Sequence, residues 1–260
     1  MNNILVAGNS HIIGFKSSIE EKNIIQPAFI PIPLCPNFED IIKSESGNFE
    51  LKQGWKNMKV EITKKSKYIN YDFSIPERNL IFVGMRLFGA FPTLGTLFSA
   101  KNNNKFLICP NKNKISIPNH HKYMIVSKSC LKKILFNEIL LSVKEHEWLF
   151  HKFHKVYWIP SPSPNYFFIN NRLLPEHHWY INSGLHYHLL LIFNETLELV
   201  NKTSYMKSNH ICIMKHPINS FNPKTGFLLP EYSFAPNIPD IHASNKHYNY
   251  YIKKIFPITS

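Results

Sequence analysis

The sequence predicts an α/β domain built on a largely parallel sheet. Short apolar runs of strand length alternate with longer stretches of helical period, and the strand-like runs stop at glycine or proline. With 260 residues the chain can bury one good core, and a three-layer α/β domain of this size is ordinary. No internal repeat or flexible linker divides it, so a single domain over 1–260 is expected.

The elements follow in order. Asn3 to Ala7 reads as a short buried strand, and His11 to Glu21 as a helix directly after it. Phe29 to Leu34 is extended, and its prolines suit a sheet edge, because proline cannot donate to a ladder. Residues 44–78 are polar and suggest a hairpin or an excursion from the core. Asn79 to Val83 is a central strand ending at Gly84, and Phe106 to Cys109 is a candidate short strand. Leu131, Ile134, Leu135, Ile139 and Val143 share one stripe, which predicts a helix over about 129–150. Val156 to Ile159 is a strand that must stop at Pro160-Ser161-Pro162-Ser163-Pro164. A second helical region runs from near Pro175 towards Val200, with Gly184 as a point of interruption. Ile211 to Met214 is the last strand. Ser244 is the expected cap of a final helix with Tyr248, Ile252 and Ile255 on one face.

Composition narrows the classes. Apolar residues make up 44% and aromatics 14%, which excludes global disorder. No apolar stretch approaches the roughly 18 to 20 residues that a membrane span needs. Asn3 to Ala7 is too short for the apolar core of an export signal, so a cytoplasmic protein is expected. Cys35, Cys109, Cys130 and Cys212 are far apart and read as reduced thiols. The formal charge of +13 fits either an anionic partner or the Lys, Asn and Ile bias of an AT-rich coding sequence. The lysines are scattered and no recognition module is visible, so nucleic-acid binding is not expected. Oligomeric state is open.

Gly8-Asn9-Ser10-His11 joins the first strand to the first helix. The carboxyl end of a parallel strand is where open α/β sheets hold their ligands. A serine there also meets the free N–H groups and the positive dipole end of a helix. Taken alone, Ser10 reads first as a helix cap. Asp240-Ile241-His242 lies at the other end of the sequence, just before the last predicted helix.

A serine after the first strand, with Asp and His before the last helix, resembles the linear order of the SGNH (GDSL-like) hydrolases. The proline-marked turn after Ile159 and the stretch from Ile211 through Gly226 to Tyr232 resemble later segments of that class. The similarity spans the chain, although each motif is short. It implies a flavodoxin-like three-layer sandwich and serine-based acyl transfer, with a small acyl ester as substrate, for example O-acetyl groups on a saccharide. Ser10 would be the nucleophile, His242 its base and Asp240 the residue that orients the imidazole. No cofactor and no metal is implied.

The chain departs from the class at two points. The usual acid stands three residues before the histidine, where this chain has Pro239, so Asp240 or a backbone carbonyl is left to orient His242. The usual Gly-x-Asn of the oxyanion hole is replaced by Gly84-Met85-Arg86, which makes Gly84 and Arg86 the candidate oxyanion and substrate-binding residues. His11 is either a substrate contact or a core residue. A catalytically degenerate protein that binds an anionic glycan or nucleotide-linked ligand is the alternative. The His120-His121, His177-His178 and His186-Tyr187-His188 groups lack ligand spacing, since neighbours at i,i+1 and i,i+2 do not share a helix face.

Overall fold

The computed structural model describes residues 4–8, 11–21, 28–31, 79–84, 106–109, 123–151, 153–163, 165, 181–238, 240 and 242–257. Among the described residues five strands form the main sheet: β1 (Ile4–Gly8), β2 (Ala28–Pro31), β3 (Asn79–Val83), β6 (Lys155–Ile159) and β7 (Ile211–Ile213). Their order is β2-β1-β3-β6-β7 and every pair is parallel. This is a doubly wound order, with strands added outward in both directions from β1 and β3. Two further strands, β4 (Phe106–Ile108) and β5 (Tyr123–Ile125), make a separate parallel pair.

Alternation along the central strands sorts side chains onto two faces. Leu5, Ala7, Leu80, Phe82, Val156 and Trp158 point to one core, against α2 (Lys128–Glu145), α4 (Leu185–Asn201) and the short α5 (Ser204–Ser208). Ile4, Val6, Ile81, Val83 and Ile159 point to the other, against α1 (Ile12–Glu21) and α6 (Asn245–Ile255). Helices therefore cover both faces, and the central strands read as continuous apolar runs because neither face meets water. The proline-bearing strand β2 is at an edge, as its sequence requires.

Several expectations need correction. The helix expected over 129–150 starts at Lys128, since Ser127 supplies the cap by accepting a hydrogen bond from Cys130 N at 3.1 Å. It ends at Glu145, and a short helix α3 (Glu147–Phe150) follows. The break is caused by His146, whose ring Nδ1 donates to Ser142 O at 2.7 Å. Its amide turns to Val143 O instead, which tightens the last turn. Phe106 to Ile108 pairs with β5 rather than joining the main sheet, and the Met124 and Ile125 side chains of β5 are exposed. Ser244 stands at the N-cap position of α6 but makes no capping bond; its hydroxyl donates to Glu231 O at 3.4 Å. The buried face of α6 is His247, Tyr248, Tyr251 and Ile252, with Ile255 only partly covered. Gly184 does interrupt the helical region, with φ at +73° immediately before α4. Residues 44–78, Cys35, His120-His121 and His177-His178 lie outside the described residues.

Two glycines set how closely the layers approach. A Cβ at Gly8 would collide with the carbonyl oxygen of Val83, so β1 and β3 close up at their carboxyl ends only because that atom is missing. A Cβ at Gly14 would collide with Ala243 O and meet the Tyr248 ring at 2.8 Å, so α1 lies directly on the segment that carries His242. Gly14→Ala would gain up to about 1 kcal/mol of helix propensity, but overpacking costs about 1–3 kcal/mol. A lowered melting temperature is therefore expected, and a rise would show that Ala243 yields freely.

Candidate active site

The site is at the carboxyl ends of β1 and β3, where the winding of the sheet reverses. Strands on either side of that point send their connections to opposite faces, which opens a crevice between them. Gly8 ends β1, and His11 stands just ahead of α1. The segment holding Asp240 and His242 comes in from the side of α1 and α6. An antiparallel bridge joins Ser233 to Ala243, and Phe234 N donates to His242 O at 3.1 Å. Ser18 Oγ donates to Asn245 O at 2.7 Å and ties α1 to the start of α6.

Asp240 and His242 form a pair. Asp240 Oδ1 accepts from His242 Nδ1 at 2.6 Å and from the His242 amide at 3.1 Å. Two residues of spacing are thus sufficient for the acid to reach the ring, and no carbonyl is needed in its place. An ionised carboxylate only accepts hydrogen bonds, so Nδ1 carries the proton and the lone pair of the neutral ring is on Nε2. Asp240 is the more enclosed partner, its side chain 11% exposed against 30% for His242. A small solvent opening at the imidazole, with the carboxylate behind it, is the disposition that proton transfer to a bound group requires.

His11 packs its ring on that of His242, with centroids 5.1 Å apart and planes tilted by 51°. It is 5% exposed, so it offers little surface to anything but its neighbour. Burial pushes its titration midpoint down to about 3; nearby His242 lowers it further and Asp240 opposes the shift. At neutral pH it is uncharged. A neutral His11 places no second cation against His242 when that ring takes up a proton.

Gly84 closes β3 in the left-handed region, at φ +68°. Its N–H donates to Ile159 O at 2.9 Å and its carbonyl accepts from Ser161 Oγ at 2.6 Å. Both backbone groups are thus engaged within the fold, and the residue serves the site as a turn. Ser10 and Arg86 lie outside the described residues.

Three polar residues to which the sequence assigned no role follow the strand next to β3. Ser161, Ser163 and Asn165 follow β6 and are all buried. Ser163 Oγ is 3.2 Å from His186 Nε2, and the Asn165 amide reaches the loop that carries Asp240. Ser161 and Ser163 alternate with prolines that cannot themselves donate, and Asn165 follows the last of these. Among the described residues no group of three His, Cys, Asp or Glu side chains is arranged to hold a metal ion. No helix among them is long and apolar enough to cross a membrane. Compared with known proteins, the chain matches no family model, and no curated protein is significantly similar to it in sequence.

Proposed function

We propose that this chain is an SGNH-like serine esterase or acyltransferase acting on a small acyl ester, such as an O-acetyl group on a saccharide. The observation that carries the reading is the Asp240–His242 pair, with Nδ1 bonded to the carboxylate and the ring set beside His11 at the mouth of the β1/β3 crevice. Ser10 enters this reading from the sequence, where it directly precedes His11.

In this reading His242 Nε2 takes the Ser10 proton while Oγ adds to the ester carbonyl. The oxyanion is met by the Ser10 N–H and by the positive charge of Arg86. The tetrahedral adduct expels the alkoxide, which leaves with the proton from His242, and an acyl-serine remains. Water or an acceptor alcohol then gives its proton to His242 and attacks the acyl carbon, and as this second adduct collapses Ser10 Oγ leaves and takes that proton back from His242. Asp240 keeps the ring in one tautomer and stabilises its cation throughout. The acyl acceptor sets the choice between hydrolase and transferase.

The test is direct. Wild type is expected to hydrolyse p-nitrophenyl acetate and to be labelled by a fluorophosphonate, with Ser10→Ala inert in both assays. Equal turnover by the two proteins would reject Ser10 as the nucleophile.

A further inference from the structure

Among its described residues, the loop 233–240 holds Asp240 in place without a large hydrophobic anchor. Its two large apolar side chains, Phe234 and Ile238, are 58% and 59% exposed. Burial of such side chains is what ordinarily fixes a loop, and here it is missing. Hydrogen bonds take its place: beside the Ser233–Ala243 bridge and the bond from Phe234 N to His242 O, most go to one buried residue. Asn165 Nδ2 donates to Ala235 O and Ile238 O, both at 2.7 Å, and lies 3.2 Å from Ser233 Oγ. Its Oδ1 accepts from Asp240 N at 3.2 Å, and its own amide donates to Asp240 O at 2.9 Å.

We infer that Asn165 is a positioning residue for the Asp240–His242 pair, the end of a strap that ties the acid's loop to the sheet. The strap is Pro160-Ser161-Pro162-Ser163-Pro164-Asn165, in which proline removes the backbone donor at every second position and disfavours helical turns. The intervening side chains make the attachments: Ser161 to Gly84 at the end of β3, Ser163 to His186 in α4, and Asn165 to the loop. The end of the central strand and the acid are thereby held in one frame. Asn165 touches neither substrate nor the His242 ring in this account; it acts through Asp240.

The inference rests on the esterase reading for its kinetic arm only. An imidazole N–H held against a carboxylate gives a far-downfield proton resonance, and that signal reports the pair whether or not the protein turns over an ester. Asn165→Ala and the near-isosteric Asn165→Asp, which cannot donate to Ala235 O or Ile238 O, are compared with wild type and with Asp240→Asn. Both Asn165 variants are expected to fold, to lose or broaden the His242 resonance as Asp240→Asn does, and to lower kcat on p-nitrophenyl acetate about 10²-fold with KM little changed, the scale of a displacement near 1 Å. A folded variant that keeps the resonance overturns the inference, and so does failure of both variants to fold, which would assign Asn165 to the fold alone. A wild type that shows the resonance but neither turnover nor labelling overturns the esterase reading instead, and the resonance in the variants still decides the role of Asn165.

Discussion

Asp240→Asn is expected to lower ester turnover by about 10⁴-fold in a protein that still folds. The carboxylate accepts from His242 Nδ1 at 2.6 Å, which leaves Nε2 as the basic nitrogen. An asparagine amide that turns its NH₂ to the ring would donate to Nδ1, move the proton to Nε2 and remove the base. It would also remove the charge that stabilises the imidazolium. On the proposed mechanism His242→Ala removes the base outright, and a loss of about 10⁶-fold in kcat is expected, since members of such a unit fail together. The check is kcat on p-nitrophenyl acetate beside a thermal melt for each variant. Turnover within tenfold of wild type in Asp240→Asn would show that another group orients His242.

The second large effect is on stability. Burial pushes the midpoints of His11, His186 and His216 down to about 3, and that of His247 well below 6.5. These rings sit among aromatic side chains: His216 beside Phe193 and Phe221, and His247 beside Phe221, Tyr248 and Tyr251. Neither ring nitrogen of His216 or His247 has a hydrogen-bond partner among the described residues. In the unfolded chain each histidine titrates near 6.5. Above that pH both states are neutral, and stability is at its full value. As the pH falls from 6.5 towards 3, the unfolded chain binds protons that the folded chain excludes. The loss is about 1.4 kcal/mol per pH unit for each histidine, or roughly 5 kcal/mol per unit for four. Against a total stability of about 5–15 kcal/mol, unfolding is expected with a midpoint between about pH 4 and 6. Circular dichroism during an acid titration measures it. His247→Phe should move the midpoint to lower pH if the aromatic ring is accommodated, and retention of the fold down to pH 3 would contradict the account.

What the sequence revealed and what it hid divide along a physical line. β1, β3 and β6 were legible because both faces are buried, which leaves an unbroken apolar run. The stripe Leu131, Leu135, Ile139 and Val143 was legible because one face packs on the sheet. The break at His146 was not, since it depends on a side chain competing for its own helix's carbonyl, and periodicity is blind to that. β5 was missed because its outward residues are apolar and so give no alternation. Asp240 and His242 were found through their order relative to the last helix, and the structure adds that the acid does reach the ring. Asn165 was hidden because its partners are backbone carbonyls about 70 residues further along, which no local spacing encodes.

The contact between α1 and the segment of His242 has a consequence in time. Ser18 and Asn245, which meet across it, are 227 residues apart in sequence. At a synthesis rate of about 5–20 residues per second, roughly ten to forty-five seconds separate their appearance at the ribosome. Through that interval the strand, turn and helix that begin the site exist without their closing layer, and a bare apolar face of α1 waits on a partner not yet made. Release of the nascent chain before α6 emerges would yield a polypeptide without Tyr248, Tyr251 and Ile252, the large side chains that α6 adds to the core on that face.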